Sequence, residues 1–252
     1  MKITIAVTSV SMLFLMIACE KSQEIAPTST PTSVQTSSSG GVINSVRPTS
    51  KEIYDAFVRL ALKNSSNTKA LTIRKWISTK TQIKVYWDGG RTADLILALD
   101  KVIADMNVLN KHSKLVRTGV VAEADITINR VDAKTHNAKY TGFQVTNTSV
   151  QGNTFTQWNS TTIVKAVIWL LPTTPTTLQN GVLRHELTHA LGLGHIENTK
   201  SIMVAVMNGA NYDFNNFSIL DQRVLQILGD NRVKQGMTEA NASAIIKEYA
   251  AK

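Results

Sequence analysis

The stretch His185-Glu186-Leu187-Thr188-His189-Ala190-Leu191-Gly192-Leu193-Gly194-His195 constrains this chain more tightly than any other. Read as a helix up to about Leu191, it places His185 and His189 four residues apart, one turn from each other on one face. Two imidazole nitrogens can meet one metal ion there. Glu186 projects beside them, close to the metal without ligating it, where a carboxylate can take a proton from bound water. His195 lies too far along to share that helical face, so the chain must turn sharply to bring it back. Gly192 supplies the turn, because a residue without Cβ adopts positive φ at a helix end. A structural zinc site fills all four positions with protein ligands, whereas three imidazoles with no cysteine nearby leave one position open for water. The expected cofactor is therefore one catalytic Zn2+, with His185, His189 and His195 as metal ligands and Glu186 as the catalytic base.

The rest of the chain reads as a sheet with helices packed on it. A helix is expected from Ser50, as N-cap, to about Lys63, with Ile53, Phe57, Leu60 and Ala61 at helical spacing. It either packs on the domain or serves as a pro-segment, and packing is preferred because no latency motif accompanies it. Strands are expected at 82–87, near 115–117, at 124–131 and, most strongly, at 162–171, with strand pieces around 142–145. Between the first two lies an amphipathic helix, 93–110, with Leu95, Leu99, Val102, Ile103 and Met106 on one stripe. The order strand, helix, strands, helix predicts an α/β (α+β) domain. A helix from Ser218, as N-cap with Asp221 at the capping-box position, to Gly229 and another from about Thr238 complete the chain.

Outside this domain the sequence changes character. Residues 1–18 have the layout of a signal peptide, and Met16-Ile17-Ala18-Cys19 resembles a bacterial lipobox. Cys19 is the lipidation candidate and the chain's one cysteine, which also rules out an intramolecular disulfide framework. Residues 19–50 are rich in Ser, Thr and Pro and cannot bury enough apolar surface to order themselves, so they read as a tether. The expected division is thus leader 1–18, tether 19–50, helical segment 51–80 and catalytic domain 81–252. A lipid-held protein of the bacterial envelope, on the outer membrane or cell surface, follows as the expected location. The net charge of +9 comes from scattered lysines and arginines with no basic run, so no nucleic-acid partner is expected and a monomer is.

The extended pattern H-E-x-x-H-x-x-G-x-x-H resembles the metzincin clan of zinc peptidases. Metzincins carry a methionine turn beneath the metal, and Ser201-Ile202-Met203 follows His195 at a spacing similar to the matrixin branch; Met203 is the Met-turn candidate and Met207 its rival. The resemblance implies a twisted mixed sheet with active-site helix, Met-turn and C-terminal helix. It also implies a zinc endopeptidase whose protein or peptide substrate lies along an edge strand, with Val204, Ala205 and Val206 near the main specificity pocket. The sequence departs from the clan in places. Ala205 stands where some branches have a tyrosine ligand, no propeptide cysteine exists, and His112 and His136 are isolated and read as surface or core residues. The competing reading is a membrane-tethered, zinc-containing binding module or adhesin without proteolytic activity.

Overall fold

A computed structural model describes residues 47–63, 72–174, 176–198, 200–205 and 215–252. The leader, Cys19, nearly all of the tether, Val206 and Met207 lie outside the described residues. The elements are α1 (Ser50–Leu62), β1 (Lys75–Trp76), β2 (Gln82–Gly89), α2 (Ala93–Leu109), β3 (Lys114–Arg117), β4 (Ile126–Asn129), α3 (Ala133–Lys139), β5 (Gly152–Asn159), β6 (Thr162–Leu170), α4 (Thr176–Ala190), α5 (Ile219–Leu228) and α6 (Glu239–Ala250). The fold is a mixed α/β arrangement of the α+β class.

The sheet runs β1-β6-β4-β2-β3, with parallel pairing throughout this path. Because β1 and β4 share one side of β6, the antiparallel β5 takes the other side and becomes an edge. Parallel strands need crossover helices, and α2 makes such a crossover between β2 and β3. Its stripe of Leu95, Leu99, Val102, Ile103 and Met106 is buried in the main core, with Ile83, Val85, Ile126, Ile128, Ile163, Ala166 and Ile168 from one face of the sheet. The other face carries a smaller cluster of Val145, Phe155 and Trp169.

Helix α1 is part of that main core, through Ile53, Phe57, Leu60 and Leu62. Its N-cap is Thr49 rather than the expected Ser50. Glu52 stands three residues after Thr49 and accepts a hydrogen bond from the Thr49 N–H at 2.7 Å, closing a capping box. The sheet likewise begins before residue 81, since β1 pairs with the start of β6. The strand expected around 142–145 is absent. Asn137 holds that segment instead, accepting from the Val145 N–H at 2.7 Å and donating to its carbonyl at 3.0 Å, so a side-chain amide stands in for a neighbouring strand. The edge strand β5 went unforeseen because Gly152, Thr154 and Thr156 on its helix-facing side carry no apolar alternation.

Candidate metal site

Helix α4 carries His185, Glu186 and His189 and ends at Ala190. Gly192 follows with φ +106°, and a Cβ there would come within 2.1 Å of the Arg74 carbonyl oxygen, so only glycine fits. Two backbone bonds secure the returning segment: Gly194 N–H donates to Leu60 O of α1 at 2.8 Å, and Ile196 N–H to Met203 O at 3.0 Å. The turn brings His195 back to the helix. The three Nε2 atoms then lie 3.0, 3.0 and 3.2 Å apart.

The protonation of this triangle follows from its surroundings. His185 Nδ1 faces the Ile202 carbonyl at 2.6 Å and His189 Nδ1 faces the Leu193 carbonyl at 2.7 Å. Carbonyl oxygens only accept, so each Nδ1 carries the hydrogen and each Nε2 presents a bare lone pair. Burial pushes all three rings below the ordinary histidine pKa, His185 to about 4, which keeps them neutral. The bare lone pairs of His185 and His189, 3.0 Å apart with no hydrogen between them, repel, and a cation at the focus they share with His195 removes the conflict. An ion held about 2.0–2.1 Å from each nitrogen in a tetrahedron separates the nitrogens by roughly 3.3 Å, close to the spacing found. The three histidines thus form a cluster that can hold a metal ion, the one such group among the described residues. His185 is buried while His189 and His195 are partly exposed, so the cluster opens to solvent on one side.

Glu186 sits next to this cluster, 4% exposed. Burial lifts its carboxyl from 4.5 to about 8, against the pull of a hydrogen bond from Thr154. The Thr154 hydroxyl lies 2.6 Å from Glu186 Oε2 and 3.0 Å from its carbonyl oxygen, and its single hydrogen serves the nearer carboxylate. Gly152 makes room for the same side chain, since a Cβ there would stand 2.7 Å from Glu186 Oε1. Both residues come from β5, more than thirty positions away in sequence, and sequence reasoning missed them.

Met203 lies in the turn Ser201-Ile202-Met203, 1% exposed, within the main core. The turn's backbone reaches two of the three histidine segments, through Ile202 O and Met203 O. Asp221 in the first turn of α5 secures it in turn. Its carboxylate accepts from Ser201 Oγ at 2.5 Å and Ile202 N–H at 3.1 Å, and from Ser218 Oγ at 2.7 Å. Ser201 Oγ then accepts from Met203 N–H at 3.0 Å. One unbroken path therefore runs from His185 through the Ile202–Met203 peptide and Ser201 to a buried carboxylate. Burial raises the Asp221 pKa and these donors oppose the rise. The capping-box spacing made Asp221 visible in the sequence, but its grip on the turn was not. Val204 is buried and Ala205 exposed beside this turn.

The helix itself is anchored by Arg184, fully buried, which pairs with Asp105 of α2 and lies 5.5 Å from the Phe217 ring. At its other end Trp76 Nε1 donates to Ala190 O at 2.9 Å. His112 and His136 stay outside the cluster. His112 Nε2 meets Ser78 O, and His136 is fully buried between Asn129 Oδ1 at 3.0 Å and Phe143 O at 2.6 Å.

Over residues 50–248 the sequence matches the family described as Protein of unknown function (DUF2927). The chain belongs to this family. The matched span of this DUF2927 member takes in the whole sheet, the histidine cluster, and α1 through all but the end of α6. No curated protein matches the chain.

Proposed function

We propose that this protein is a zinc-dependent endopeptidase of metzincin type, close to the matrixin branch. The observation that carries the proposal is the pairing of three converging imidazole nitrogens, those of His185 and His189 bare, with a buried carboxylate that ligates nothing and is held by Thr154 and Gly152. A site built only to brace the fold has no use for such a carboxylate or for an open side. Zinc bound by His185, His189 and His195 supplies a Lewis acid that acidifies water and polarises a carbonyl.

The chain's own residues do the remainder. The carbonyls of Ile202 and Leu193 fix the tautomer and tilt of two histidines, which raises their basicity toward a metal. Glu186 takes a proton at a carboxylate oxygen and returns it to the leaving amine, while Thr154 keeps that carboxylate aimed. Burial of Glu186 brings its pKa toward neutral, and a nearby cation favours its ionised form, so the acid limb of activity falls between these two influences. Strand β5 pairs on one side only among the described residues, which leaves its outer edge to bind an extended peptide by backbone hydrogen bonds. Lipid attachment at Cys19, an envelope location and a monomeric state belong to the same proposal, on the sequence features given above.

The test is peptide cleavage by zinc-loaded protein lacking the leader, measured on a mixed peptide library beside Glu186→Ala. Cleavage by the parent and a loss on the order of 10²–10⁴-fold in the variant are expected. Cleavage undiminished in the variant, or none by folded, zinc-bearing parent, would sink the peptidase reading and leave the binding-module alternative standing. Labelling with a radioactive fatty acid, lost in Cys19→Ala, checks the anchor.

A further inference from the structure

The edge strand continues past Thr154 on the side that faces α4. Thr156 stands opposite Ala166 and Trp158 opposite Ile163, whose Cδ1 lies 3.1 Å from where a Gly192 Cβ would be. Trp158 therefore shares the face that holds Glu186, about 13 Å further along β5 at roughly 3.3 Å per residue. The guanidinium carbon of Arg74 lies over its ring, 4.7 Å from the centroid. The backbone of Arg74 abuts Gly192, so this side chain occupies the space between the edge strand and the turn that joins His189 to His195.

Arg74 is also held in place. Ile73 N–H donates to Met237 O at 2.8 Å, Gly236 N–H donates to Ile73 O at 2.8 Å, and Lys75 N–H donates to Thr161 O at 3.3 Å. Yet among the described residues the two polar groups presented here lack acceptors. Among the described residues Arg74 forms no ion pair with a carboxylate, and Trp158 Nε1 is buried without a hydrogen-bond partner. Burial alone lowers the Arg74 pKa, with no acidic neighbour opposing it. A half-buried guanidinium and a dry indole N–H, side by side, suit an anionic acceptor, and the planar fork of arginine suits a carboxylate best.

We propose that Arg74 and Trp158 form a subsite for a carboxylate of the peptide substrate, at the end of β5 remote from Glu186. The proposal rests on the peptidase reading and adds a specificity to it: an acidic group about four residues from the bond cleaved, given the rise of an extended chain. A peptide antiparallel to β5 places that group on the N-terminal side of the bond.

The test uses zinc-loaded Glu186→Gln protein, which binds without turnover, and fluorescent ten-residue peptides of neutral sequence, C-terminally amidated, with one Asp moved along the chain. Anisotropy reports affinity for each Asp peptide against its Asn counterpart. A second set, without Asp but with free C-terminal carboxylates, separates a side-chain carboxylate from a terminal one. Preference for Asp at one position by about tenfold or more is expected, the size of a charge-assisted pair shielded from water. Arg74→Ala in the same background is expected to bring the Asp-to-Asn ratio to about one, and Arg74→Glu to favour Lys at that position. Thermal melts confirm that each variant folds, and Arg74→Lys supplies a milder change that keeps charge and loses the fork. Equal affinity for Asp and Asn peptides at every position, or a ratio unmoved by both Arg74→Ala and Arg74→Glu, overturns the subsite. Cleavage by the parent without charge discrimination removes the subsite and leaves the peptidase; discrimination in binding without any cleavage does the reverse.

Discussion

Two histidines of this protein are buried, His136 and His185, and they are wired in opposite ways. His136 is wedged between the Asn129 side chain and the Phe143 carbonyl, so both ring nitrogens are matched with oxygens. It also lies 5.9 Å from the Phe155 ring, within the smaller core. His185 and His189 commit only Nδ1 to a carbonyl and point a bare Nε2 at each other and at His195. Burial is common to both arrangements, so burial does not distinguish a ligand from a core residue. What distinguishes them is whether the second nitrogen has a partner inside the protein or converges on a point where none exists.

The comparison is broken most severely by exchanging roles. His189→Ala is expected to take bound zinc from about one per chain to near zero, since two imidazoles hold the ion far less tightly. His136→Gln is expected to keep the zinc and lose about 1–3 kcal/mol of folding stability through its buried hydrogen bonds. Elemental analysis with chemical denaturation checks both, and metal loss in His136→Gln would erase the distinction.

Glu186→Gln separates chemistry from metal binding. Zinc is expected to stay and, on the peptidase reading, cleavage to go, while stability shifts with pH in a defined sense. With a folded pKa of about 8 against 4.5 unfolded, Glu186 binds more protons in the folded chain. Its contribution is therefore fully favourable below pH 4.5 and is lost as pH rises toward 8. In protein treated with a chelator, Glu186→Gln is expected to be more stable than the parent at pH 8 by on the order of 1–3 kcal/mol, with the gap closing near pH 4.5. A constant gap across that range contradicts the buried carboxyl described here.

A smaller effect is expected at the remote end of the hydrogen-bond path. Asp221→Asn leaves every ligand in place but loosens the turn that orients His185, and a loss of about tenfold in zinc affinity follows for a supporting residue of this kind. Competition with a chelating dye measures it. Ser201→Ala should move affinity in the same direction, and an unchanged affinity in both variants removes the path from the account.

How much of this was legible in the sequence depends on how far apart the partners lie. His185, Glu186, His189, Gly192 and His195 fall within eleven residues, so helical spacing and one glycine bring them together without knowledge of the fold. The main helices and the buried strands were equally plain, because α2 carries its apolar residues at helical spacing and β6 is a nearly continuous apolar run. Thr154 and Gly152 were hidden for the opposite reason: they belong to a polar edge strand whose identity depends on pairing with β6. Arg74 and Trp158 belong together only once β1 and β5 are set beside the Gly192 turn. Asp221 looked like the capping-box partner of Ser218, and is one, but its bonds to Ser201 and to the Ile202 N–H required the folded turn.

The central claim is that three imidazoles and one exchangeable position make up the metal site, and X-ray absorption at the zinc edge of the purified protein tests it most directly. The account predicts one ion with three histidine nitrogens and one light-atom ligand at about 2.0–2.1 Å, the last replaced on adding a hydroxamate. A six-oxygen shell, or a spectrum unchanged in His189→Ala, would contradict it.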